Sequence, residues 1–193
     1  MTTTLRKAAL AWTVAMAIAP TCALGETNAV TEPPIEVSLD MDHDGTLDRA
    51  MLVRRPGSDG ADLQIHLAVG DGKLDPSRPP DFIKQELAHG TVVSLERKGN
   101  GALLVKYGCG GCSNDHMTTL TIVRRNGEFL VAGLTYDWDT RNEGIGGCDI
   151  NFLTGKGITS RGIGGKSKPI NAKFAPVKVA DWSDDRRPKA CNF

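Results

Sequence analysis

Short runs of β-branched and apolar residues, each stopped after a few positions by glycine, asparagine or aspartate, follow one another along most of this chain. They occupy residues 50–53, 63–69, 91–95, 102–107, 118–123, 129–135, 150–153 and 158–163. A run of that length crosses a sheet once and is too short for an ordinary helix, and consecutive strands joined by tight turns pair antiparallel. The spacing therefore predicts a mainly β domain, an antiparallel meander forming a curled sheet, a sandwich or a barrel. Asn126-Gly127, between Arg125 and Glu128, supplies the positive φ angles that a tight hairpin needs. Lys98-Gly99-Asn100-Gly101 and Thr154-Gly155-Lys156-Gly157 read as further hairpin tips. Helical periodicity is confined to residues 81–89, with Asp81 as cap and Gly90 as stop, and there Phe82, Ile83 and Leu87 fit a strand equally well.

The N-terminus has a different pattern. Arg6 and Lys7 precede an apolar run over residues 8–19, followed by Pro20 and Ala23-Leu24-Gly25. This is the three-part layout of a secretory signal cut after Gly25, and the apolar run is about half the length of a bilayer span. Residues 26–34 are polar, end in Pro33-Pro34 and read as an extended leader, so a single domain is expected over residues 35–193. The 168 residues beyond the signal carry 21 basic and 23 acidic side chains, a balance that offers no bulk attraction for nucleic acid. No later segment is long and apolar enough to span a membrane, so the expected location is periplasmic or secreted.

Cys109, Cys112, Cys148 and Cys191 then enter an oxidising compartment as an even set, for which disulfides are the default. Three connectivities are open. The Cys109 to Cys112 ring is very small, which slightly favours bridges from this turn to Cys148 and Cys191. The Cys-Gly-Gly-Cys spacing also admits a thiol oxidoreductase or half a zinc site, but strand-like sequence flanks it where a redox dithiol needs a helix N-terminus.

The densest chemistry lies in Asp40-Met41-Asp42-His43-Asp44-Gly45-Thr46-Leu47-Asp48. Carboxylates at positions 1, 3, 5 and 9 repel one another without a cation, whereas Ca²⁺ accepts six to eight oxygens. Gly45 permits the sharp turn, and the Thr46 carbonyl is the natural ligand at position 7. Met51 stands where an EF-hand needs its bidentate glutamate, and a strand-like run replaces the second helix. The loop and its flanking apolar runs, residues 35–53, instead resemble the calcium loop of FG-GAP and VCBS-type repeats in exported bacterial proteins. That resemblance implies side-chain ligation by Asp40, Asp42, Asp44 and Asp48 and carbonyl ligation by Thr46. Only one such loop is present, since the echo Asp71-Gly72-Lys73-Leu74-Asp75 lacks the earlier carboxylates, so a full propeller is not expected.

Other candidates are thinner. Asp137, Asp139 and Glu143 follow a strand-like run in Tyr136-Asp137-Trp138-Asp139-Thr140-Arg141-Asn142-Glu143, which reads as a polar loop or, if the strand continues, puts Asp137 and Asp139 on one face as the acid and base of a small hydrolase. Gly162-Ile163-Gly164-Gly165-Lys166-Ser167 lacks the first glycine of a phosphate loop. His43, His66, His89 and His116 are scattered. The expected function is a non-catalytic, calcium-stabilised module that binds a protein or glycan partner in the cell envelope.

Overall fold

The computed structural model describes residues 32–191 apart from 71, 76, 100, 141–143 and 163–164. The expected signal segment and most of the leader lie outside the described residues. The strands are β1 (Ile35–Leu39), β2 (Asp48–Arg54), β3 (Gly60–His66), β4 (Phe82–His89), β5 (Val92–Lys98), β6 (Ala102–Cys109), β7 (Asn114–Arg125), β8 (Glu128–Thr140), β9 (Gly144–Asn151), β10 (Lys156–Arg161), β11 (Lys168–Asn171) and β12 (Val177–Lys178). Of residues 81–89, which the sequence left open between helix and strand, Phe82–His89 form β4.

The chain builds two antiparallel sheets. One runs β1-β2-β3-β4 and the other β5 to β11 in chain order, with β12 added beside the first half of β8. Neither closes into a barrel or propeller among the described residues. The hairpin between β7 and β8 turns on Asn126 (φ 52°) and Gly127 (φ 79°), the pair that the sequence marks. Two consecutive positive φ angles give the turn a twist that matches its long flanking strands.

Strand alternation fixes what is buried. On the first sheet Ala50, Leu52, Leu63 and Ile65 point inward, and on the second Leu103, Val105, Tyr107, Leu120, Ile122, Leu134 and Ile150 do so. Register aligns these rows: Val105 lies opposite Leu120, Leu120 opposite Leu134, and Leu134 opposite Ile150. Side chains facing each other across neighbouring strands share a face, so the core is one continuous layer between the sheets. The register shifts after Thr121, where Gly133 and Val131 flank an extra residue, Ala132. This bulge lets β8 keep both Val131 and Leu134 inward.

The segment after β12 completes the core through three short 3-10 turns, Val179–Asp181, Asp184–Arg186 and Lys189–Cys191. Val179, Trp182 and Cys191 are buried. Trp182 Nε1 donates to the Tyr107 hydroxyl at 3.2 Å, and that hydroxyl donates to Asp184 Oδ1 at 2.7 Å. Burial and the Asp184 charge both push the Tyr107 phenol far above its ordinary pKa, so it stays a donor.

Candidate metal centre

Residues 40–47 link β1 to β2, and Asp48 opens β2 opposite Leu39. The inward parity of β2 places Asp48 on the buried face, where it is 0% exposed. Both its oxygens accept backbone amides, Oδ2 from Met41 at 2.8 Å and Oδ1 from Ala68 at 3.0 Å. Burial raises its pKa, the two amides oppose that, and the charges of Asp42 and Asp44 add to the rise. Asp48 thus pins both the loop and the chain beyond β3 while presenting its carboxylate to the loop interior.

Asp40 Oδ2 accepts the Gly45 amide at 3.1 Å, curling the loop back on its first residue. His43 (φ 64°) and Gly45 (φ 88°) both take left-handed backbone, which the curl requires and which glycine adopts without cost. Asp40 Oδ1 is buried and has no hydrogen-bond partner among the described residues. Asp42 Oδ1 accepts the Asp44 amide at 3.4 Å, and its Oδ2 lies 3.2 Å from Arg124 Nη1 at the end of β7. Ligand oxygens of Asp40, Asp42 and Asp48 all lie within 4.8 Å of one another.

Of the five residues expected to coordinate, the structure therefore gathers three. Asp44 is turned to Thr46 instead: its Oδ1 accepts the Thr46 amide at 2.8 Å and the Thr46 hydroxyl at 2.5 Å. These bonds hold the exposed Asp44 carboxyl below its ordinary pKa. The donor set suits a hard cation, because it consists of carboxylate oxygens and includes a buried oxygen that lacks a proton donor. Arg124, which the sequence did not flag, supplies a positive charge at the flank of Asp42 from the opposite sheet.

The hairpin joining β5 and β6 buttresses the loop. A Cβ on Gly101 would fall 2.3 Å from the Asp40 carbonyl oxygen and 2.8 Å from His43 Cε1, so only glycine permits this approach. A cleft of about 460 Å³ opens beside the contact, lined by Leu39, Asp40, His43, Leu47, Arg97 and Lys98 with the hairpin glycines.

The cysteines correct one expectation. Cys109 bridges Cys112 across the turn between β6 and β7, with Cα atoms 5.8 Å apart, and Cys148 bridges Cys191, at 5.5 Å. The turn bends through left-handed Gly111 (φ 83°), which brings the close pair within bridging distance, while the last 3-10 turn carries Cys191 to β9. The bridges from this turn to Cys148 and Cys191 that the sequence favoured do not form.

Of the two readings open for Tyr136 to Thr140, a polar loop or a continued strand, the structure has the strand, since these residues form the end of β8. Asp137 and Asp139 share its outer face, with Asp115 opposite Asp139 and Met117 opposite Asp137; Glu143 lies outside the described residues. A shallow cleft of about 210 Å³ opens there. Asp137 lies over Gly147, where a Cβ would sit 2.5 Å from its Oδ1. Burial, then the Asp149 charge, raises the Asp137 pKa, with Lys106 opposing.

The remaining candidates take ordinary places. The glycine-rich stretch from Gly162 leads into strand β11, not a helix. His89 Nε2 lies 3.4 Å from Asp184, and His116 Nδ1 lies 3.2 Å from the Asn114 carbonyl oxygen. Among the described residues no helix is long and apolar enough to cross a membrane. No protein-family profile, curated protein or solved structure matches the chain.

Proposed function

We propose that this chain is an exported, non-catalytic β domain that binds Ca²⁺ through Asp40, Asp42, Asp44, the Thr46 carbonyl and Asp48, and that serves as an interaction module in the cell envelope. The observation that carries the reading is the convergence of Asp40, Asp42 and Asp48 within 4.8 Å. The buried, unpartnered Asp40 Oδ1 supports it, because a carboxylate oxygen in that state is costly until a cation reaches it. Ligation by Asp44 requires its other oxygen to turn toward the ion while Oδ1 keeps the Thr46 contacts. The setting of residues 40–47 between two paired strands supports the likeness to FG-GAP and VCBS-type loops. Two disulfides are consistent with a periplasmic or secreted location.

The test is calorimetric titration with Ca²⁺ and Mg²⁺, alongside melting curves with calcium or chelator. At 100 times its dissociation constant calcium adds about 2.7 kcal/mol, and each kcal/mol raises the midpoint of a domain this size by roughly 2–4 °C. Mg²⁺ does less, because it demands a tight octahedron and gives up its water reluctantly. Asp42→Ala with Asp44→Ala removes the calcium increment. A midpoint unmoved by chelation, together with no heat of calcium binding, refutes the reading.

A further inference from the structure

We propose that the cleft between the Asp40 loop and the β5–β6 hairpin binds an aliphatic carboxylate, a molecule with one carboxylate head and a short apolar body. Its volume, about 460 Å³, falls in the range of small-molecule sites. The two walls differ chemically. On the hairpin side stand Arg97 and Lys98, and neither side chain makes a hydrogen bond or ion pair with any described residue. Arg97 lies opposite Leu103 in register. Leu103 faces the core, so Arg97 shares the inward face at the point where the sheet runs out past the core and meets the Asp40 loop. The Arg97 guanidinium lines the cleft, and a planar guanidinium can donate two hydrogen bonds to one carboxylate.

The loop side is apolar at floor and mouth. Leu39 is buried at the base, and Leu47 is 55% exposed, one of few large apolar side chains left open to water. Leu47 sits in the loop at a position that contributes no ligand to the metal centre, so the centre does not account for its exposure. His43 is held in left-handed backbone and pressed against Gly101, which fixes the imidazole in the cleft wall as a further hydrogen-bonding group. Strained backbone of this kind persists where surrounding structure enforces it. Among the described residues no phenylalanine, tyrosine or tryptophan lines the cleft, so it lacks the broad ring faces on which sugars stack.

The cleft shares Asp40 with the metal centre, and here the inference rests on the calcium reading. Without the ion, the Asp40 charge opposes an incoming carboxylate; with it, that charge is neutralised and the cleft is left cationic. Calcium and carboxylate should therefore bind with positive coupling, each strengthening the other by the same factor, roughly fivefold or more.

The experiment uses the exported, disulfide-bonded chain and measures calcium binding first, by calorimetry. Hexanoate, N-acetyl-leucine and glucuronate are then titrated at saturating calcium and again in chelator. These arms separate a free acid, a peptide end and a sugar acid. Expected is binding of hexanoate or N-acetyl-leucine that tightens at least fivefold with calcium, weakens at least tenfold in Arg97→Ala with Lys98→Ala, and leaves calcium affinity in that variant within twofold. Calcium binding without carboxylate binding overturns this proposal and leaves the calcium reading intact. Absence of calcium binding ends the calcium reading; carboxylate binding is then judged from the chelator titration, where none overturns the cleft as well. Glucuronate binding as tightly as the aliphatic acids overturns the assignment of the ligand class.

Discussion

Asp48 separates a structural role from a metal role in a single residue. Replacing it with alanine leaves the Met41 and Ala68 amides, held now at 2.8 and 3.0 Å, without acceptors in a site that is 0% exposed. A buried amide stripped of its acceptor costs about 1–3 kcal/mol, so two cost about 2–6 kcal/mol. Removing a desolvated carboxylate recovers part of this, which places the net loss near 3 kcal/mol and the midpoint shift near 9 °C. That loss is present in chelator. Asp42→Ala behaves differently: its carboxylate holds one long backbone contact and a partly exposed pair with Arg124, so in chelator it shifts the midpoint by less than about 3 °C. Both variants lose the calcium increment. Differential scanning calorimetry of the two variants and wild type, each with calcium and with chelator, completes the comparison. If Asp48→Ala melts within 2 °C of wild type in chelator, the amide-holding role is refuted whatever calcium does.

Arg124→Met removes a cation that competes for Asp42 and should tighten calcium roughly fivefold by calorimetry; unchanged or weaker affinity contradicts the competition. Graded reduction followed by alkylation and peptide mapping should label Cys109 and the exposed Cys112 well before Cys148 and Cys191, which are 3% and 0% exposed, and simultaneous labelling would count against that order. Asp137 should titrate above a normal carboxylate in a carbon-detected NMR titration, and Asp149→Asn should bring it down. Because the folded state raises this pKa above the unfolded value, the contribution of Asp137 to stability falls as pH rises through that window; Asp137→Asn should flatten the fall, and a steeper one contradicts the sign. Tyr107→Phe removes the bond to Asp184 and strands the Trp182 indole, at a cost of about 1–3 kcal/mol in denaturant unfolding.

The fold was legible where local chemistry and global packing agree. Asn126-Gly127 dictates its hairpin whatever surrounds it, and the period-two burial of β6, β7 and β8 is written in their alternation. Legibility failed where a long-range contact decides. Phe82–His89 become a strand because β3 offers an edge, with Ile65 pairing Phe82, and no local signal reports that edge. The stretch from Tyr136 looks like a loop because Asp137 and Asp139 are polar, yet Trp138 between them is the inward residue of a strand end. In the Asp loop the spacing treats the four carboxylates alike, whereas the structure gathers Asp40, Asp42 and Asp48 and divides their labour. Asp44 and Thr46 satisfy each other locally, while Asp48 is recruited by the amide of Ala68, 20 residues away. Arg124 lies 82 residues from Asp42 and was invisible for the same reason. Ring size alone argues against the Cys109–Cys112 pair, and the sequence does not report the left-handed Gly111 with which the turn brings the two together.

The burial of Val179, Trp182 and Cys191 has a temporal meaning. A chain that emerges N-terminus first can lay down its hairpins in sequence, each strand pairing with the one just made. The core beneath Tyr107 and beside Phe152 is completed by the last segment, with Phe174 and Trp182 against Phe152, and Cys191 must find Cys148, 43 residues back. Full closure of the core therefore depends on this last segment. A protein lacking this last segment should be a substrate for proteases rather than a smaller version of the same domain.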